Sequence, residues 1–325
     1  MPNSTLTVGA LSAAPGTKVF GFEEVAFGTA EGSFGSASVR FGLFLINGAE
    51  PGPTLVVTGG VHAAEYASIA AALDLGRNLQ PQGLKGRVIV LPVVNVPGFG
   101  PRSIYINPLD GKNINRCFPG DPNGTASEQL ADWVFQNVIK QGDYYVDLHG
   151  GDLVEALVPF SIWHASDNAE TDRVSLEMAK VFGIPYIVRS ESQNSAYSSA
   201  ARAGIPAMLS ESGGQGIWLP EHVADHTVGL ARLMLHLGMV AGPAPQPVAC
   251  TLFERFVWLR SDHDGFWYPR VQVGDVVQEG QDVGAVMDYA GNVLQPALAP
   301  ANGPVLFLVT SLAINKADPL LAVGA

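Results

Sequence analysis

Cysteine is scarce in this 325-residue chain. Cys117 and Cys250 lie far apart and form neither a CxxC pair nor a disulfide framework, so both are expected as free thiols in a reducing compartment. Basic residues are also few, 18 Lys and Arg against 30 Asp and Glu, for a net charge of -12. With no basic stripe, nucleic acid and anionic membranes are poor partners for such a surface. No apolar run reaches membrane-spanning length, and Met1-Pro2-Asn3-Ser4-Thr5 lacks the basic and apolar regions of a signal peptide. A cytoplasmic protein is expected. What is present, 47% hydrophobic and 15% charged residues, suits a compact chain with one large domain and a smaller one.

The pattern centres on Leu55-Val56-Val57-Thr58-Gly59-Gly60-Val61-His62-Ala63-Ala64-Glu65-Tyr66. A β-rich run stops at a glycine pair and a helical pattern begins just beyond it. His62 and Glu65 therefore stand where a strand hands over to a helix, the usual place for chemistry in α/β enzymes. Spaced i and i+3, an imidazole and a carboxylate can point the same way from one turn and form two thirds of a catalytic zinc site.

Alternation in residues 1 to about 50, as in Ala37–Ile46, predicts edge strands and loops. Strand 54–58, helix 64–80 and strand 87–94 follow. The runs Leu55-Val56-Val57 and Val88–Val94 are continuous rather than alternating, as central strands covered on both faces require. Residues 95–124 lose all periodicity and gather Pro, Gly and Asn, a connection long enough to be functional. A helix at 125–140, with Thr125 or Ser127 as cap, leads to a strand at 144–149 that ends in Gly150-Gly151. A strand at 154–160, a helix at 168–182 and a strand at 186–188 continue the alternation. The short run Pro206–Glu211 ends in Ser212-Gly213-Gly214, and a helix at 220–238 closes this part. Residues 1–240 are read as one α/β domain, the proline-rich 241–247 as a linker, and 248–325 as a separate β domain.

Beyond the linker, short strands are punctuated by Gly, Asp, Asn and Pro. Val273–Gly284, echoed at Ala299–Leu306, resembles the barrel-sandwich fold of biotinyl and lipoyl carrier domains. The turn Asp288-Tyr289-Ala290-Gly291-Asn292 has no lysine to modify, so a structural or lid role is expected instead.

A catalytic zinc site needs a third protein ligand and an open position for water. Of the seven histidines, His149 is the only other one at the end of a predicted central strand. His222, His226 and His236 fall on the last helix, and His164 and His263 in loop-like surroundings. Asp147 shares a strand face with His149 and can support it from behind. A base is also needed, to take the water's proton and return it to a leaving nitrogen. Glu211, at the third strand terminus, is the best-placed carboxylate, with Glu155 and Glu128 as alternatives.

His62-Ala63-Ala64-Glu65, Asp110–Gly120 with its Asn115-Arg116 pair, Asp147-Leu148-His149 and Ser210-Glu211 together resemble the succinylglutamate desuccinylase/aspartoacylase branch of the zinc carboxypeptidase superfamily. The likeness covers nearly the whole chain. It implies a zinc carboxypeptidase-like mixed central sheet with helices on both faces, followed by a small all-β domain. It further implies one zinc per chain on His62, Glu65 and His149, with Glu211 as general base and acid. Arg102 would polarise the scissile carbonyl, and Asn115 and Arg116 would grip a substrate carboxylate. Arginine suits that last task independently, because its planar fork makes two charge-assisted bonds.

The chain departs from the family at Ala63 and Ala64, where members often carry Gly and Asn or Asp. Arg189 and Arg202 are further arginines available to a substrate, and Tyr197 and Tyr289 are aromatic candidates for pocket or core. The expected activity is zinc-dependent removal of an acyl group from an N-acyl amino acid or related small amine. The rivals are a zinc carboxypeptidase acting on short peptides and a non-catalytic binding protein. The acyl group and the oligomeric state, a homo-oligomer included, are not legible.

Overall fold

The computed structural model describes residues 4–27 and 38–325. Part of the N-terminal stretch read as strands and loops, Ala37 included, lies outside the described residues. Nine strands form one mixed sheet. Its order across the sheet is Thr251–Phe253, Tyr186–Ser190, Phe160–His164, Ala207–Glu211, Tyr144–His149, Glu50–Thr58, Lys85–Leu91, Ser38–Asn47 and Thr17–Ala26. The three central strands ending at Glu211, His149 and Thr58 are mutually parallel, with Glu211 level with His149 and Asp147 level with Thr58. Their C-terminal ends therefore open onto one edge, where α/β sheets bind ligands.

Helices cover both faces. Tyr66–Asn78, Ala169–Phe182 and Pro220–His236 bury Ala71, Phe182 and Leu230 against one face of the sheet. Ala126–Asn137 and Ala196–Arg202 bury Leu130, Val134 and Ala200 against the other. Local chemistry sets their ends. Glu128 accepts a bond from the Thr125 backbone N–H at 2.8 Å, closing a capping box. Asn168 accepts from the N–H groups of Glu170 and Thr171, and that helix stops at Gly183 in the left-handed region, φ 94°. No helix among the described residues is long and apolar enough to cross a membrane.

The expected strand at 154–160 is two strands in two sheets. Glu155–Leu157 pairs with Gly303–Val309 of the C-terminal region, whereas Phe160–His164 enters the large sheet. Pro159 stands between them, and having no N–H it cannot serve a continuous ladder. In the other direction, Thr251–Phe253 crosses beyond the proline-rich segment and adds to the large sheet beside Tyr186–Val188. The remaining C-terminal strands form two small, largely antiparallel sheets around Trp267, Val286, Leu321 and Val323. Trp267 is fully buried, and its Nε1 donates to the Val309 carbonyl at 3.1 Å. A shared apolar cluster of Phe160, Val188 and Leu306 with Phe253 and Phe256 fastens this β region onto the large sheet.

One histidine differs from expectation. His164 is not in a loop but buried at the end of the Phe160–His164 strand. His226 is fully buried, with its Nδ1 3.0 Å from Ser210 Oγ, tying the last helix to the Glu211 strand. Burial pushes its imidazole from 6.5 down to about 4. The unfolded chain therefore takes up a proton at this position through the pH 6.5 to 4 window while the folded chain does not, so acidification favours unfolding there. Lowering the pH from neutral to about 5 should cost about 2 kcal/mol through this residue alone. Urea unfolding of His226→Gln should show a pH dependence flatter by that amount; an unaltered dependence would exclude this residue as its source.

Candidate active site

The His62–Glu65 pair sits in the turn that precedes the first long helix rather than inside it. The Glu65 N–H reaches the His62 carbonyl at 3.4 Å, and the helix begins at Tyr66 with Glu65 as its N-terminal boundary. Gly59 and Gly60 bring the chain into this turn. Gly60 has φ 61°, and a Cβ there would press on Ile69 and the Val93 backbone. The third residue, His149, ends the neighbouring parallel strand, and all three are buried.

Glu65 lies between the two imidazoles. His62 Nδ1 is 2.7 Å from Glu65 Oε1, and His149 Nδ1 is 2.9 Å from Glu65 Oε2. Oε2 also accepts from the Gly150 N–H at 3.1 Å. The opposite ring edges are held from behind. His62 Nε2 lies 3.1 Å from Asn113 Oδ1, and His149 Nε2 lies 3.2 Å from Asp147 Oδ2. Asp147 is anchored in turn by the Thr58 hydroxyl at 2.8 Å, and Thr58 Oγ1 lies 2.6 Å from the Tyr145 hydroxyl. Both Nδ1 edges therefore face one point together with a carboxylate, and the candidate ligand atoms lie within 4.8 Å of one another. Two imidazoles and a carboxylate suit a divalent metal that keeps an open position, and the braced Nε2 edges fix ring tautomer and direction.

The electrostatics agree. Burial opposes ionisation of Glu65, yet His149 and His62 hold its carboxyl well below the usual range. Burial likewise opposes the charged form of His149, but Asp147 and Glu65 outweigh it and raise its imidazole well above 6.5. Glu65 and His149 each favour the other's charged form, and a divalent cation held in place of the imidazole proton would meet the same carboxylate.

The three residues open into a cavity of about 860 Å³ whose lining includes Glu211, Asn115 and Arg116. Among the described residues Glu211 Oε2 is buried with no hydrogen-bond partner. Burial, then the negative charge of Glu65, raises its carboxyl well above 4.5. Asn115 accepts from the Ala196 N–H at 3.0 Å through Oδ1, which leaves its amide nitrogen for a ligand. Arg116 donates to the Asn115 carbonyl at 2.8 Å.

Arg102 is not brought to the cavity. It is exposed, with φ 59°, where its N–H closes a turn onto the Phe99 carbonyl, and it is not among the lining residues. Of the alternative bases, Glu128 is spent on capping its helix and pairing with Lys112, whereas Glu155 lines the cavity. Arg189 lines it too, paired with Glu191 at 2.8 Å, and Arg202 stays outside. Tyr197 is both core and lining; Tyr289 is 84% exposed on a hairpin tip.

Sequence reasoning missed Asn113, Tyr105 and the wall of Arg255, Phe256, Trp258 and Arg260 from the C-terminal region. Asn113 lies inside the Asp110–Gly120 motif without having been singled out, and the signal for Tyr105 was the length of the aperiodic connection. The wall had none, because its placement depends on how the two β-sheet systems pack.

Residues 51–237 match the profile of the succinylglutamate desuccinylase/aspartoacylase catalytic domain. The chain belongs to this family. It is similar to an N-alpha-acetyl-L-2,4-diaminobutyric acid deacetylase of Halomonas elongata, 35% identical over 254 residues, which are 75% of this chain and 73% of the relative. It resembles the product-bound structure of the ectoine utilization protein EutE (DoeB) of Ruegeria pomeroyi, with TM-score 0.84, 26% identity and 99% of each chain covered. A succinylglutamate desuccinylase/aspartoacylase of Rhodobacter sphaeroides is similar as well, with TM-score 0.81, 28% identity and 94% of each chain covered. The family fold, a mixed sheet plus an antiparallel β region, is therefore shared along the chain.

At this candidate site one ligand and one brace should each be measurable. His149→Ala should lower bound zinc well below one per chain, by metal analysis after dialysis, and a full complement would remove His149 from the site. Asn113→Ala should weaken zinc affinity roughly 10 to 100-fold, by competition with a chelator.

Proposed function

We propose that this protein is a zinc-dependent deacylase that hydrolyses the amide of N-acyl amino acids, giving a carboxylate and the free amine. The observation that carries this reading is a buried carboxylate oxygen, Glu211 Oε2, with no hydrogen-bond partner among the described residues, in the same cavity as the His62, Glu65 and His149 donor set. Family membership and the deacetylase relative support it.

His62, Glu65 and His149 would hold the zinc. When bound, zinc lowers the pKa of a water to about 7 and polarises a carbonyl. Glu211 accepts the proton of the attacking water and returns it to the nitrogen as the C–N bond breaks. Burial raises the affinity of its carboxylate for that proton, as suits a group that must take and return it. Arg116 and the Asn115 amide hold the substrate carboxylate at the cavity wall and so place the scissile bond.

The C-terminal region supports a small substrate over a peptide. Phe256, Trp258 and Arg260 stand in the cavity wall, where an extended peptide would need an open groove. Free thiols at Cys117 and Cys250 fit the expected cytoplasmic setting.

Glu211→Gln should retain zinc and lose roughly 100 to 10,000-fold in kcat on an N-acetyl amino acid; an unchanged kcat would remove Glu211 as the base. Arg116→Ala should raise KM for carboxylate-bearing substrates with a smaller effect on kcat. Equal KM values would place the carboxylate elsewhere.

A further inference from the structure

Glu155 is a cavity-lining carboxylate that the mechanism above does not use. It is only 7% exposed. Both of its oxygens are positioned by neutral donors: the Tyr105 hydroxyl gives to Oε1 at 2.6 Å, and the Asp152 N–H gives to Oε2 at 2.7 Å. The Tyr105 N–H is in turn held by Asp152 Oδ2 at 2.9 Å, with Tyr105 itself at φ 59°. A non-glycine residue kept in the left-handed region, with both its backbone and hydroxyl tied to this pair of acids, is over-determined by its surroundings. The result is a carboxylate of fixed direction that forms no ion pair among the described residues.

Charge counting sharpens the point. The cavity lining includes the buried carboxylates of the candidate metal ligand Glu65, of Glu155 and of Glu211, besides the exposed Glu191 and Glu254. A divalent ion offsets two of these negative charges, and Arg116 is committed to the substrate carboxylate. Arg189 is paired with Glu191, and Arg260 stacks on Trp258 while donating to the Ala317 carbonyl. Arg255 is exposed, and the Glu155 carboxylate is left with neutral donors alone among the described residues. Burial, which Glu65 and Asp152 reinforce, raises the Glu155 carboxyl to about 7, as expected of an acid whose cation is missing. Each carboxylate oxygen has a lone pair to spare after its present bond, so an ammonium can be added without breaking either.

We infer that Glu155 is a specificity-determining residue that binds a free ammonium group of the substrate, so that the enzyme selects N-acyl diamino acids over N-acyl amino acids with neutral side chains. Arg116 and Glu155 then read the two charges of one zwitterionic substrate, a carboxylate and an ammonium, while the acylated nitrogen lies between them. The inference rests on the deacylase reading.

The test compares zinc-loaded enzyme on N-alpha-acetyl-L-2,4-diaminobutyric acid and on N-acetyl-L-2-aminobutyric acid, which lacks only the amine. Wild type should favour the first by on the order of 100-fold in kcat/KM, because a buried site built for a charged group rejects the analogue without it. Glu155→Gln should erase that ratio through KM for the amine-bearing substrate and leave turnover of the neutral one nearly unchanged. A wild-type ratio near one overturns the inference without any variant. Equal loss of kcat on both substrates would make Glu155 part of the reaction rather than of recognition, and would overturn it as well. Hydrolysis of neither substrate would count against the deacylase reading instead, which keeps the two failures apart.

Discussion

A carboxylate buried beside two imidazoles must be compensated, and the compensation at Glu65 organises the molecule. Leaving such a charge unpaired costs several kcal/mol. Here His62 and His149 face its two oxygens, and Gly150 adds an N–H. That arrangement demands that a turn after one strand and the end of its parallel neighbour meet at one level. The parallel pairing of Glu50–Thr58 with Tyr144–His149 supplies this level, and the glycine pair at 59 and 60 gives the chain room to turn there. The Asp147–Thr58–Tyr145 chain behind His149 uses the same register, since Thr58 and Asp147 are direct cross-strand partners.

Around that centre the protein sorts its polar groups by depth. Both oxygens of Glu65 have partners that aim them, whereas among the described residues Glu211 Oε2 is left without one in a buried position. Native structures keep few such groups, and those they keep tend to be functional. Farther out, the C-terminal β region supplies a wall of aromatic and charged side chains, so the region that resembles a carrier domain instead closes off one side of the cavity. It is held there by strand exchange in both directions, Glu155–Leu157 entering its sheet and Thr251–Phe253 entering the large one. Glu155 consequently depends on both parts: its backbone pairs with Val309, while its carboxylate receives the hydroxyl of Tyr105 from the long connection.

Much of this was legible one-dimensionally. Continuous apolar runs such as Leu55–Val57 marked central strands because a strand covered on both faces has no polar side to alternate with. Glycines after Thr58, His149 and Ser212 marked the strand ends, and the four motifs marked the family. Less legible were features set by a single proline or by distant pairing. Pro159 split one expected strand between two sheets, and His164 became a buried strand-end residue as a result. Arg102 carried an expectation from the family resemblance alone, and it stands exposed outside the cavity lining.

The sequence by itself determined which residue types could make a metal centre and where along the chain they stood, because ligand chemistry and strand-end spacing are local properties. Only the tertiary structure decided which ring nitrogens face Glu65, that Asn113 braces His62, that Tyr105 and Asp152 aim Glu155, and that the C-terminal region walls the cavity. Apart from His62–Glu65 and Asp152–Glu155, each three positions apart, those contacts join residues distant in the chain, 51 positions for Asn113 and His62 and 50 for Tyr105 and Glu155, and their geometry follows from sheet register and inter-sheet packing, which no local pattern encodes.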